Sequence, residues 1–252
     1  MSTISKLTDK LFWEQSGNDT MATSEYSWFQ EYFDEYIPEG RGKKALEIGV
    51  CPGNNLAAIA VSHGYQPYGI DILDSVAHLP GNFKSLGIDN MKSIQDDVFA
   101  WISDERYDLV MSFGFIEHFQ EWPKAIDRHW ELLEDQGYMI VGVPILGPLQ
   151  FNLRKVTYTA EKLSEVLNTH NIEAMKLRNI EAHIKTLKGV RLIFSSHIKN
   201  MDTWIQSNDL YIRGGRGWIV RAWHKAARIP KKLGISSSFF SPYALVIAQK
   251  LG

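Results

Sequence analysis

From Lys44 to Val143 the chain repeats one pattern: a short apolar run, a turn, then residues with helical periodicity. The apolar runs predict strands over 44–48, 67–71, 91–95, 107–112 and 138–143, and the segments 54–62 and 123–133 read as helices. Strand, helix and strand in one sheet make a parallel βαβ unit whose crossover is almost always right-handed. Repeated along the chain, this unit predicts an α/β fold with a doubly wound, mostly parallel sheet. Ligands of such sheets bind beyond the carboxyl ends of the strands, where strand order reverses. The loops after these strands are therefore the place to look for chemistry.

The flanks extend the pattern. Tyr26, Phe29, Phe33 and Tyr36 recur at three- and four-residue spacing, which predicts a helix over 23–36 with an aromatic face packed on the core. A helix is expected over 159–169, a sixth strand over 172–177 and a last strand in SPYALVIAQK. The expected sheet is seven-stranded, and the chain divides into four parts: an N-terminal helical cap (1–42), an α/β core (43–180), an insertion serving as lid, substrate-binding element or interface (181–240), and the final core strand (241–252). A chain of 252 residues with 44% apolar and 22% charged residues can bury such a core.

Composition limits the setting. The net charge of -2 makes no global case for nucleic acid or a membrane. A single cysteine rules out an intramolecular disulfide. With no apolar leader and no run near the ~18 apolar residues of a membrane span, a reducing, cytoplasmic location is expected.

The loop after the first strand reads LEIGVCPGNN. Gly49 and Gly53 lack Cβ atoms, so the backbone can turn sharply and let a ligand approach. Alone, they fit a plain strand-to-helix turn equally well. Acids separate the two readings: Glu47 ends the first strand, Asp71 ends the second, and Asp97 lies just past the third. The carboxylate of Asp71 can accept both hydroxyls of a ribose, one per oxygen, and Asp97 is placed for the exocyclic amine of an adenine. A pyrophosphate turn needs Gly-x-Gly-x-x-Gly, whereas the spacing here is Gly-x-x-x-Gly, and Glu47 would repel phosphate. A nicotinamide dehydrogenase is thus disfavoured, and a nucleoside ligand without phosphates is expected.

These motifs resemble those of class I S-adenosylmethionine-dependent methyltransferases that act on small molecules. That family's first motif is an acid followed by Gly-x-Gly-x-Gly; Glu47-Ile48-Gly49-Val50-Cys51-Pro52-Gly53 matches it with Cys51 in place of the middle glycine. SFGFIEHF (112–119) resembles the motif after the fourth strand, EDQGYMIVGVP (134–144) the glycine-led fifth strand, and TYTAEKLSEVL the helix that follows. The resemblance covers roughly 44–177 plus the last strand. It implies a Rossmann-like methyltransferase fold with S-adenosylmethionine as cofactor and S-adenosylhomocysteine as product. It also implies cofactor contacts from Glu47, Gly49, Val50, Cys51, Gly53, Asp71, Ile72, Asp97, Val98, Ser112 and Phe113.

The expected activity is methyl transfer to a small hydroxylated metabolite, such as a sugar or glycan precursor of the cell envelope. The alternative is a non-catalytic protein of the same fold that binds S-adenosylmethionine or a partner. Transfer from a sulfonium is an in-line displacement, so catalysis is mainly the alignment of donor and acceptor. A hydroxyl acceptor also benefits from a base. His118 is the candidate, beside the equally open reading of a structural histidine. No metal is expected, because the adjacent Glu117 and His118 should point apart and no cluster at ligand spacing joins them. Phe12 and Trp13 are expected to pack within the N-terminal helix rather than close over a cofactor.

A helix from Gly217 would place Trp218, Ile219, Ala222, Trp223 and Ala226 on one face, and Arg221, Lys225, Arg228 and Lys232 on the other. Segment 217–232 is read as a packed helix with solvated charges, a site for an anionic or sugar-linked acceptor, or a peripheral membrane contact. The slightly acidic chain argues against nucleic acid as acceptor. An oligomer is left open.

Overall fold

Strands β1 (Lys44–Ile48), β2 (Gln66–Asp71), β3 (Lys92–Gln95), β4 (Tyr107–Phe113), β5 (Leu133–Pro144), β6 (Val190–Ile198) and β7 (Tyr243–Lys250) form one sheet in the order β3-β2-β1-β4-β5-β7-β6. The computed structural model that gives this order describes residues 4–15, 24–203, 205, 212–229 and 233–252. The first five strands are parallel, and β7 runs antiparallel to both β5 and β6. Strand order reverses between β1 and β4, which opens a crevice beyond their carboxyl ends.

The helices are α1 (Lys10–Gln15), α2 (Gln30–Tyr36), α3 (Asn54–His63), α4 (Leu79–Ser85), α5 (Trp122–Glu131), α6 (Pro148–Thr157), α7 (Ala160–Thr169), α8 (Leu177–Ile184) and α9 (Gly217–Ala226). Side chains alternate across β1, and so do its partners. Leu46 and Ile48 join a cluster with Ala125 and Ile126 of α5 and Ile180 and Ile184 of α8. Ala45 joins a second cluster with Phe33 of α2, Leu56 and Ile59 of α3 and Phe83 of α4. Both faces of the sheet are covered, as a parallel sheet requires. Local signals set the helix ends: α3 closes on Gly64 in the left-handed conformation, and the Thr159 side chain caps α7 by accepting the Lys162 N–H (3.3 Å).

Two sequence expectations need correction. Residues 172–177 are not a strand. Asn171 Oδ1 accepts the Glu173 N–H at 3.0 Å, a local turn that competes with a strand ladder, and the chain passes directly into α8. The sixth strand is Val190–Ile198, inside the segment 181–240, at the sheet edge and mostly half-buried. The helix expected over 23–36 is shorter: α2 starts at Gln30, Tyr26 is exposed ahead of it, and Thr23 lies outside the described residues.

Helix α9 buries Val220 in a cluster with Leu153, Tyr158 and Ile205, and Trp223 Nε1 donates to the Met201 carbonyl at 2.8 Å. Arg221, Lys225 and Arg228 are exposed, but so are Trp218, Ala222 and Ala226 of the face expected to pack; the buried side is that of Val220 and Ala227, with Trp223 half-buried, and Lys231 and Lys232 lie outside the described residues. Among the described residues no helix is long and apolar enough to cross a membrane.

Candidate active site

The loop after β1 is fastened from below. Glu47 is 3% exposed; its Oε2 accepts the Leu56 N–H (3.0 Å) and its Oε1 accepts from Asn55 Nδ2 (3.2 Å), which ties the first turn of α3 to β1. Burial pushes this carboxyl up to about 8, against the pull of the two hydrogen bonds. Gly49 and Gly53 have φ of +70° and +92°, the left-handed region that favours glycine. A Cβ at Gly49 would meet the Phe115 ring at 3.0 Å, and one at Gly53 the Phe83 ring at 3.1 Å.

Cys51 stands where the middle glycine is expected. Among the described residues, only Gln136, Lys199 and Asn200 are non-glycines with positive φ, so the loop asks no left-handed turn of Cys51. Its N–H donates to Asp71 Oδ2 (3.0 Å), and its Sγ receives a hydrogen bond from Ser75 Oγ (3.4 Å). Burial, and next the charge of Asp71, push the thiol up to about 12. Asp71 Oδ1 accepts the Leu73 N–H (3.1 Å), so two backbone donors fix this carboxylate at the end of β2. Burial raises its pKa, against these hydrogen bonds.

Of the residues expected from sequence, Gly49, Cys51, Asp71, Ile72, Asp97, Val98, Phe113 and His118 line one cleft. Glu47, Gly49, Val50, Cys51, Gly53 and Phe113 line a second cavity, completed by Tyr26, Trp28 and Asn55. Ser112 lines neither. It is fully buried, and its hydroxyl is bonded to His129 Nε2 (2.8 Å), whose Nδ1 donates to the Ala125 carbonyl (2.6 Å). Strand alternation separates the two neighbours: the Ser112 side chain points into the core and that of Phe113 into the cleft.

An N-terminal strap, which local sequence spacing does not reveal, crosses the cleft. The Leu7 N–H donates to the His118 carbonyl (2.8 Å) and the Gln120 N–H to the Ser5 carbonyl (3.0 Å). Lys6 pairs with Asp97 at 2.6 Å, and Lys10 pairs with Asp74. Lys6, Thr8 and Trp13 line the cleft. Trp13 packs edge-on against both Phe12 and the His118 ring, so it belongs to the wall of the cleft as well as to the packing of α1.

A family model described as a methyltransferase domain matches residues 25–204. The chain belongs to the methyltransferase domain family. The methyltransferase assignment made from its motifs is that of this family, and the seven-stranded sheet is the Rossmann-like one expected with it. No curated relative matches the methyltransferase at the sequence level. Solved structures do. One is an S-adenosylmethionine-dependent methyltransferase from Thiobacillus denitrificans in complex with S-adenosylhomocysteine (17% identity, 93% of this chain and 97% of that one covered, TM-score 0.54). Another is coclaurine N-methyltransferase bound to N-methylheliamine and S-adenosylhomocysteine (10% identity, 90% and 72% covered, TM-score 0.56). A third is the [4+2]-cyclase SpnF (14% identity, 100% of both chains covered, TM-score 0.59). At these identities the likeness shows the fold alone, and the family rests on the domain match.

At the far side of the cleft the methyltransferase buries a group that sequence spacing conceals. Glu117 and His118 lie in a short 3-10 turn after β4, with His118 Nε2 3.7 Å from Glu117 Oε1. The two adjacent side chains therefore do not point apart, as sequence adjacency suggests. His170, at the end of α7, brings its ring to 4.6 Å from that of His118. Burial pushes the Glu117 carboxyl up to about 8; burial, and next His170, push His118 down to about 3.

Proposed function

We propose that this methyltransferase holds S-adenosylmethionine along the carboxyl ends of β1, β2 and β4 and transfers its methyl group to a small-molecule acceptor. The observation that carries the reading is the convergence on one cleft of the glycine turn at Gly49, the anchored carboxylate of Asp71, and Asp97 and Val98 from the next loop. These residues fit the cofactor. Each Asp71 oxygen accepts one backbone N–H and keeps lone pairs for the ribose hydroxyls. Phe113, Phe115 and Phe119 supply aromatic wall for a sulfonium cation. Glu47 takes a supporting part, since its oxygens hold the start of α3.

When bound, S-adenosylmethionine supplies a methyl group activated by its sulfonium. The chain's own work is to bind, orient and cover. Asp71 and the Gly49 turn set the position, and the strap through Lys6, Thr8 and Trp13 covers the cleft. A general base is left out of this reading. His118 is the sequence candidate for that role, but an imidazole held down to about 3 accepts a proton only weakly near neutral pH. Alignment is left as the main source of rate.

We place the acceptor beyond Trp28. There an aromatic cavity with Tyr32, Tyr36, Phe194, Glu31 and Lys199 in its walls shares Tyr26 and Trp28 with the cavity at the glycine loop. An anionic or sugar-linked acceptor on the basic helix finds less support, because no residue of α9 lines either cavity at the glycine loop. We read α9 as a packed helix with solvated charges.

Calorimetric titration with S-adenosylmethionine and S-adenosylhomocysteine tests the cofactor claim; absence of binding heat for both in folded protein overturns it. Incubating cell extract with methyl-labelled cofactor and the protein, then analysing labelled products by mass spectrometry, tests for a small-molecule acceptor. Label found only in macromolecules would count against it.

A further inference from the structure

We infer that Glu117, His118 and His170 form a three-ligand site for a divalent transition metal of the zinc class, with a remaining coordination position for water or a small ligand. One ligand atom from each of the three residues lies within 4.8 Å of the others. Tetrahedral bonds of about 2.0–2.1 Å set ligand atoms roughly 3.4 Å apart, so small side-chain rotations close the set. Two imidazoles and one carboxylate are a known donor combination for zinc with an open position.

The hydrogen bonds already fix both imidazoles in the form a metal needs. His118 Nδ1 is 2.8 Å from the Thr169 carbonyl, which can only accept, so the proton is on Nδ1 and Nε2 carries a bare lone pair. His170 Nδ1 is 2.9 Å from the Val166 carbonyl and 3.0 Å from Thr169 Oγ1. The Thr169 hydroxyl spends its own proton on the Glu165 carbonyl (2.8 Å), so here too Nδ1 is the donor and Nε2 is bare. Metal-bound histidines characteristically donate their other ring N–H to a carbonyl or carboxylate in this way.

The third donor is a carboxylate with an unmet need. Glu117 is 1% exposed and its Oε2 has no hydrogen-bond partner. A buried polar atom left in that state is costly, and a cation at the cluster would satisfy it. No lysine or arginine pairs with Glu117 among the described residues, where its ion-pair contact is with His118. The two segments are also held together without a metal: the Asn171 N–H donates to the Glu117 carbonyl (2.7 Å), and Asn171 Nδ2 donates to the Phe119 carbonyl (3.0 Å). The donors are thus preorganised rather than gathered by the ion. His118 also lines the cleft, which brings the site to the wall of the methyl-transfer centre.

The test uses the full, tag-free chain without S-adenosylmethionine, so its outcome is independent of the cofactor reading. After metal removal by a chelator, Co²⁺ is titrated while its visible absorption is followed, and Zn²⁺ is then added. We expect one Co²⁺ per chain, displaced by one Zn²⁺. Glu117→Gln and His170→Ala should each weaken binding at least tenfold, while His183→Ala should leave it unchanged. If a variant fails to fold, X-ray absorption of the wild-type Zn²⁺ complex decides, with a shell of two imidazole nitrogens and at least one oxygen expected. Absence of Co²⁺ binding to folded wild type, undiminished binding in both variants, or a shell without imidazole would overturn the site.

Discussion

Replacing Glu47 by glutamine should change how stability depends on pH. Glu47 is 3% exposed, and burial, helped by the charge of Asp71, pushes its carboxyl from the ordinary 4.5 up to about 8. The unfolded chain releases this proton near 4.5, whereas the folded chain keeps it to about 8. Between those values the folded state holds more protons. Its stability contribution is therefore fully present below 4.5 and is lost as pH rises towards 8. The slope is at most about 1.4 kcal/mol per pH unit, so the loss across the window is on the order of a few kcal/mol. In Glu47→Gln the side chain does not ionise: the amide keeps one oxygen for the Leu56 N–H and has no proton to release in this range. Groups common to both proteins, such as His129 held down to about 4 by burial, cancel in the difference. Urea unfolding of both proteins at about pH 5, 6.5 and 8 reads that difference directly. The variant should gain on the wild type by a few kcal/mol from the lowest pH to the highest. A difference that stays constant would refute the argument from burial.

Three further outcomes are expected. Asp71→Asn should weaken S-adenosylmethionine binding about 10- to 150-fold, since a hydrogen bond to a charged group contributes roughly 1.5–3 kcal/mol; equal calorimetric affinity would remove Asp71 from the cofactor site. Cys51→Gly should bind the cofactor within a few-fold of wild type, and alkylation of the wild-type thiol, pushed up to about 12, should be slow and slower still with cofactor bound. Rapid alkylation that the cofactor does not affect would place Cys51 away from the ligand. Gly53→Ala should cost about 1–2 kcal/mol, because its φ of +92° suits glycine and the new Cβ meets Phe83; an unchanged thermal midpoint would show that the turn relaxes.

Much of the fold was legible because parallel strands buried on both faces give continuous apolar runs. Strands β1 to β4 start and end within about two residues of their sequence-read bounds, an ordinary error for such boundaries. The sixth strand was misplaced against local propensity: Val190, Ile193 and Phe194 in VRLIFSSHI are residues favoured in strands, whereas Glu173, Ala174 and Lys176 in IEAMKL are not. The site divided in the same way. Gly49, Asp71 and Asp97 were legible because backbone turns and strand ends set their positions. The inward turn of the Ser112 side chain follows from its place one step of strand alternation from Phe113. Lys6, Trp13 and His170 reach the cleft and its wall only through tertiary packing of distant segments, for which local spacing carries no signal.

The strap described above is held partly by salt-sensitive ties. Its ties to the cleft are of two kinds: backbone hydrogen bonds at Leu7 and Ser5, and partly exposed ion pairs from Lys6 to Asp97 and Lys10 to Asp74. Salt screens pairs of the second kind. The grip of Asp71, fixed by two backbone donors, is far less sensitive. Raising ionic strength should therefore weaken these two pairs while leaving the backbone hydrogen bonds of the strap and the anchoring of Asp71 largely as they are.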